Sequence, residues 1–257
     1  MRKFSPFYYF AKTVASWAVH GVTRTNWEGL ENLPKNGGYV VAANHVTEFD
    51  ALTLMHPLVD NEIPVRVMAK ASLFKVPVLG WIMRQAGQVP VYRGTSHAQD
   101  ALVAAKEALA GGEVIAIFPE GTLTRDPECW PMTPKTGVGR LALAGPEPVI
   151  PCAQWGGHQV LGRYSRVPHL LGRKDVTVKF GKPVFVDDLR DWDDQVAAAR
   201  EAANRVIDAI TALLAEVRNE VPPALRYDPK VHGELSKEAL GRVWPKQAEK
   251  FKYSIKN

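Results

Sequence analysis

The residues "VVAANHVTEFDALTL" (40–54) set Asn44, His45, Glu48 and Asp50 among small and apolar neighbours. An imidazole beside a carboxylate is the usual construction of a general base. Histidine titrates near neutrality and can take a proton from a hydroxyl, while a carboxylate on its other ring nitrogen fixes the tautomer and stabilises the imidazolium. His45 and Asp50 are five positions apart, so on one continuous helix they would diverge by about 140°. They can meet only if the chain turns between them, with His45 ending a "YVVAAN" strand and Asp50 in the first turn of a helix running toward Pro57. Such a turn is either the mouth of a site or an ordinary strand-to-helix connection, and the pair alone does not choose.

The turn needs a scaffold, and the chain supplies one. Apolar, β-rich segments "YVVAAN", "PVRVMAK", "GQVPVYR", "EVIAIFPE", "PVIPCAQWG" and "VTVKFGKPV" alternate with stretches of helical pattern. That alternation predicts an α/β fold: a mostly parallel or mixed central sheet flanked by helices, with functional loops at strand ends. The clearest helix is "SHAQDALVAAKEALAGG", capped by Ser96 and stopped at Gly111 and Gly112; a shorter one is predicted over Pro77 to Ala86. From about Asp191 to Glu220 an amphipathic stripe of Val196, Val206, Ile207, Ile210, Leu213, Leu214 and Val217 reads as core packing. The acidic "DDLRDWDD" before it reads as capping and solvated surface rather than a metal site.

With 257 residues, 46% hydrophobic and 23% charged, the chain suits one sizeable globular domain with appendages. A formal charge of +5 is compatible with nucleic acid, anionic lipid or phosphorylated small molecules. Cys129 and Cys152 have no CxxC spacing, which favours buried thiols in a reducing compartment. No apolar run is long enough for a membrane span, and no cleavable signal peptide is evident. The first 24 residues nevertheless combine Phe4, Phe7, Tyr8, Tyr9, Phe10 and Trp17 with Arg2, Lys3, Lys12 and Arg24 and no acidic residue. This is the composition of an interfacial amphipathic helix, although such a helix can also pack on its own core. The expected organisation is therefore a membrane-interface segment over 1–24, a main globular domain over 25–220 and a basic tail over 221–257. Residues 230–257 hold seven Lys or Arg against three Glu.

Gly137, Gly139 and Ala142 match the dinucleotide pattern G-x-G-x-x-A, but "DPECWPMTPK" precedes them where a strand should be. GxSxG, Walker A and HExxH are all missing from the sequence. Two other strand ends carry charge: "GQVPVYR" ends in Arg93, and "IFPEGTLTR" runs from an apolar strand into Glu120, Gly121, Thr122 and Arg125.

Taken together, Asn44, His45 and Asp50 as NHxxxxD, Gly87, Pro90, Val91 and Arg93 as GxxPVxR, Phe118 to Thr122 as FPEGT, and Val149 to Pro151 as VIP resemble the four ordered blocks of the glycerolipid acyltransferases. The likeness is to the bacterial lysophosphatidic acid acyltransferases of PlsC type and covers roughly residues 25 to 190; Lys70 to Trp81 also looks like the segment before the second block. The resemblance implies His45 as base and Asp50 as its orienter. It implies Arg93 as the leading phosphate ligand, acceptor binding by Glu120, Gly121 and Thr122, and secondary roles for Lys70 and Arg125. The implied partners are a lysophosphatidate-like acceptor, an acyl thioester donor (acyl-CoA or acyl carrier protein) and a membrane surface, with no nucleic acid, no metal and no separate cofactor. The implied setting is a peripheral or monotopic protein at the cytoplasmic face of the plasma membrane. The alternatives are acylation of glycerol 3-phosphate or another lysolipid, or an idle lipid-binding adaptor with the same fold.

Overall fold

The computed structural model describes residues 6–92 and 98–233. Seven strands form one sheet in the order β1-β7-β6-β2-β5-β3-β4. These are β1 (Thr23–Glu28), β2 (Tyr39–Ala43), β3 (Val65–Lys70), β4 (Val89–Val91), β5 (Val114–Ile117), β6 (Val149–Trp155) and β7 (Lys174–Phe180). The five from β6 to β4 are parallel; β7 runs antiparallel to β6, and β1 is parallel to β7. The predicted α/β architecture with a mixed sheet is the one found.

All five residues of β2 are buried, and alternate side chains serve opposite faces. Val40 and Ala42, with Ile115 and Ile117 of β5, pack under α4 (Ala98–Ala110), α5 (Gly137–Ala144) and α7 (Gln195–Arg218). Tyr39, Val41 and Ala43, with Val114 and Ala116, meet Leu54 and Leu58 of α2 (Asp50–Asp60). Covering both faces explains why these strands read as continuous apolar runs. The acidic run before α7 does cap it: Asp194 accepts from the Val196 and Ala197 N–H at 2.9 and 3.0 Å. Ser96, expected to cap α4, lies outside the described residues.

The glycines of "GVGRLA" serve packing. A Cβ on Gly139 would sit 1.8 Å from the Ala199 carbonyl oxygen, so α5 and α7 cross there backbone to backbone. Gly139→Ala is expected to destabilise by about 1–3 kcal/mol, as overpacking typically does, read as a lower urea midpoint with unchanged m.

The N-terminal helix α1 (Pro6–Val22) packs with one face and exposes the other. The Tyr8 hydroxyl accepts from the Val65 N–H at 3.0 Å, and Ser16 donates to Asp60 at 2.7 Å. On the opposite face Phe10 and Trp17 are 65% and 78% exposed, and Phe7 contacts the exposed Trp81 of α3 (Leu79–Gln85) edge-on at 4.8 Å. Two cations expected to face lipid are instead engaged by the protein. Lys12 donates to the Val59 carbonyl and Arg24 pairs with Asp175 at 2.7 Å. Arg2 and Lys3 lie outside the described residues.

At the other end, the first part of the segment set apart as a tail packs on the body. Tyr227 is buried and its carbonyl accepts from the Thr133 N–H at 2.9 Å. Residues 234–257, which hold most of the tail's predicted basic charge, lie outside the described residues.

Candidate active site

The site is assembled at the carboxyl ends of β2 and β5. Asn44 carries the β2–β6 pairing one step past the end of β2. Its side-chain amide donates to the Gln154 carbonyl at 3.0 Å and its side-chain oxygen accepts from the Gln154 N–H at 2.8 Å. The Gln154 side chain returns a bond to the Asn44 carbonyl at 3.1 Å and accepts from Thr53 of α2. This closed network fixes where β2 ends and where α2 begins.

His45 follows, its peptide gripped from both sides by the loop after β5. Its N–H donates to Glu120 Oε1 at 3.0 Å, and its carbonyl accepts from the Thr124 N–H at 2.7 Å. The imidazole stacks on Phe118, with ring centres 4.0 Å apart and planes 15° from parallel. The chain then turns, and Nδ1 of His45 meets Oδ2 of Asp50 at 3.2 Å. The same oxygen accepts from the Val46 and Thr47 N–H groups at 2.5 and 2.8 Å, so the carboxylate fixes the turn and the ring together. Asp50 is 3% exposed, whereas the His45 side chain keeps 17%. Nε2 of His45 makes no hydrogen bond among the described residues. Gly157, at the start of α6 (Gly157–Val160), closes over the pair. A Cβ there would lie 3.1 Å from Asp50 Oδ1.

Glu120 is fully buried, and its second oxygen accepts from the Met132 N–H at 3.1 Å. Burial pushes its carboxyl up to about 8 despite the opposing bonds from Met132, His45 and Thr124. Its placement is that of a brace joining the His45 turn to the loop after β5.

A family model described as Acyltransferase matches residues 24–155, half of the chain, and contains all of this arrangement up to Trp155. The chain belongs to the Acyltransferase family. It is 31% identical to the 1-acyl-sn-glycerol-3-phosphate acyltransferase BAT2, chloroplastic, of Brassica napus over 72% of this chain and 51% of that protein. It is 30% identical to the 1-acyl-sn-glycerol-3-phosphate acyltransferase of Bacillus subtilis over 69% of this chain and 83% of that protein. The chain thus spans about half the length of the plant relative, and most of the bacterial one. Among solved structures, the 1-acyl-sn-glycerophosphate acyltransferase PlsC of Thermotoga maritima matches with a TM-score of 0.60 at 24% identity, covering 84% of this chain and 80% of that one, a likeness of fold.

The other expected site residues are spread around the pair. Gly121, with φ +71°, makes the turn after Glu120, and its N–H donates to the Phe118 carbonyl at 3.0 Å. Thr122 is half-buried in the same turn. Arg125 is half-buried and close enough to the Tyr164 hydroxyl for its charge to act on it. Lys70 stands exposed at the end of β3, opposite Val91 in register. Arg93, two positions beyond Val91, lies outside the described residues.

Several supports carry no motif signal. Arg163 is buried, donating to the Thr124 and Asp126 carbonyls at 3.2 and 2.7 Å, and so holds the loop that grips His45. Gln154 could be noticed as a lone amide in an apolar strand, but Arg163 and Gly157 belong to an irregular stretch without periodicity. His158 also lies close enough to Asp50 to feel its charge, yet burial lowers its imidazole to about 4 and keeps it neutral. Both thiols are buried, and burial pushes Cys129 up to about 11 and Cys152 further, which makes them poor nucleophiles.

Proposed function

We propose that this acyltransferase moves a fatty acyl group from acyl-CoA, or from acyl carrier protein, to the free hydroxyl of lysophosphatidate, forming phosphatidate. The observation that carries the reading is the braced His45–Asp50 pair, with Nδ1 held at 3.2 Å and Nε2 left for substrate. Nε2 takes the hydroxyl proton as the oxygen attacks the thioester carbonyl. Asp50 stabilises the resulting imidazolium. The C–S bond breaks as the carbonyl re-forms, and the departing thiolate recovers the proton from the imidazolium. A thioester is already activated, so no acyl-enzyme and no separate cofactor is required. That agrees with a site built around a base and with two unreactive thiols.

The acceptor's phosphate calls for a planar guanidinium, the role we assign to Arg93, with Lys70 as a second cation on the neighbouring strand end. Gly121 and Thr122 are assigned to the acceptor side of the cleft, and Glu120 to holding the His45 turn from beneath. Arg125 is assigned to the loop's own stability through Tyr164. The names of the plant and bacterial relatives support lysophosphatidate over glycerol 3-phosphate as acceptor. A competition assay with one acyl-CoA and equal concentrations of lysophosphatidate, glycerol 3-phosphate and lysophosphatidylcholine tests this, with products identified by mass. Phosphatidate should dominate. Predominance of another product reassigns the acceptor, and absence of any acylated product supports an idle lipid-binding role.

No helix of the described residues is long and apolar enough to cross a membrane. The substrate and product are amphiphiles, so we assign the enzyme a peripheral or monotopic position at the cytoplasmic face of the plasma membrane. The exposed face of α1, with Phe10 and Trp17, would make the contact. Because Lys12 donates to the Val59 carbonyl, the apolar side chains of α1 are assigned the main part of the attachment made by this face. Phe10→Ala with Trp17→Ala should weaken sedimentation with anionic vesicles by about tenfold or more while leaving thermal unfolding unchanged. Unaltered sedimentation of the double variant removes α1 as the anchor.

A further inference from the structure

Away from the active site, α1 and α2 bring together His20, His56 and Asp60, whose ligand atoms all lie within 4.8 Å of one another. His20 Nε2 is 3.1 Å and His56 Nε2 is 3.4 Å from the same oxygen, Oδ2 of Asp60. The other Asp60 oxygen accepts from Ser16 at 2.7 Å, which fixes the carboxylate and turns Oδ2 toward the two rings. His56 supplies the second observation. Its side chain is 1% exposed, and among the described residues neither ring nitrogen makes a hydrogen bond, the 3.4 Å approach of Nε2 to Asp60 being an ion-pair distance only. A buried imidazole without a partner costs stability unless something else satisfies it, and a metal ion does so through the nitrogen lone pair.

We infer that His20, His56 and Asp60 form a zinc site that clasps the N-terminal helix to the body of the protein. Two imidazoles and one carboxylate are a zinc donor set. Bonds of about 2.0–2.1 Å in tetrahedral geometry put ligand atoms roughly 3.3 Å apart, close to the spacings to Asp60 found here. His20 and Asp60 keep 46% and 24% side-chain exposure, so the ion can enter from solvent and hold a water as fourth ligand. The serine on Asp60 is the outer-shell hydrogen bond that metal-binding carboxylates commonly carry. His20 sits in the last turn of α1, whereas His56 and Asp60 are one turn apart on α2. The ion would therefore bridge two elements that otherwise meet through Lys12 and Ser16 at this junction. This role is independent of the acyl-transfer chemistry.

The full chain, stripped with chelator and dialysed, is titrated with Zn²⁺ alone against a chromophoric competitor, and its thermal midpoint is measured with and without the ion. One Zn²⁺ per chain and a higher midpoint are expected. His20→Asn, at a half-exposed position where folding is retained, should lower affinity at least about tenfold and abolish the midpoint rise. His169→Asn, at an exposed histidine elsewhere, should keep both. Cobalt in place of zinc should show the intense visible absorption of tetrahedral coordination in the wild type and lose it in His20→Asn. His56→Gln should match His20→Asn in losing the ion. Less than one Zn²⁺ per chain, or stoichiometric binding that survives His20→Asn with an equal midpoint rise, overturns the assignment.

Discussion

His45→Ala should lower turnover by about 10² to 10⁴, the range for a lost general base, while the protein stays folded. The fold should survive because the His45 peptide, rather than its ring, carries the bonds to Glu120 and Thr124, and those remain in alanine. Only the stacking on Phe118 and the Nδ1 contact disappear with the side chain. Asp50→Asn should move turnover in the same direction. An amide cannot stabilise the imidazolium as a carboxylate does, and its nitrogen cannot accept the Val46 and Thr47 N–H bonds. The measurement is kcat with thermal unfolding run on the same preparations. Near-wild-type turnover by folded His45→Ala would falsify the assignment of the base.

Glu120→Ala should be the most destabilising of the site substitutions. It strands the His45 and Met132 N–H groups in a buried place, each at about 1–3 kcal/mol, and so roughly 2–6 kcal/mol together. Turnover of whatever remains folded should also fall, since the peptide that carries the base loses its brace. Glu120→Gln keeps the volume but cannot accept both bonds, so an intermediate loss is expected. The acid also has a pH signature. Its carboxyl is raised from an ordinary 4.5 to about 8 in the native protein. Between those values the native state holds a proton that the unfolded chain has released. Its contribution is therefore fully present below the lower value and is lost as pH rises through the higher one. Urea midpoints of the wild type should fall relative to Glu120→Gln between about pH 5 and about pH 8. Parallel profiles for the two proteins would show that Glu120 does not titrate in that window.

The fold was legible where burial imposes a pattern. All six strands read from the sequence exist: β2, β5 and β6 are covered on both faces and so are apolar along their length, while β7 shows itself by alternation of more and less buried residues. The strand β1, "TRTNWE", was not read. It mixes polar and apolar residues at the sheet edge, and its partner β7 lies far along the chain, so nothing local marks it; the proposed boundary at residue 24 cuts through it. The long helix, expected from about Asp191 to Glu220, spans Gln195–Arg218, with Asp194 of the acidic run as its cap. The N-terminal segment had two readings, interface or core. The helix itself divides them, with Tyr8 and Ser16 facing inward and Phe10 and Trp17 facing outward.

Within the site, the five-residue spacing shows only that His45 and Asp50 need a turn between them in order to meet; that they do meet is what the resemblance to the four acyltransferase blocks implies. The brace could not be anticipated. Glu120 joins backbone groups of His45 and Met132, separated from it by 75 and 12 residues, and backbone N–H groups leave no trace in residue types. The same is true of Arg163, which binds two carbonyls. Asn44, read as part of the reactive turn, proves to lengthen the β2–β6 pairing through Gln154, so its polar character serves geometry.

The central claim is direct transfer by a base, and its most direct test is a rapid-quench experiment on the wild-type enzyme with radiolabelled acyl-CoA. Without acceptor, neither a burst of free CoA nor label on the protein is expected. With lysophosphatidate, CoA and phosphatidate should appear together, one for one, from the first turnover. A stoichiometric burst of CoA before acceptor is added, with label retained on the denatured chain, contradicts the account, because it requires a covalent nucleophile where His45 and Asp50 form only a base.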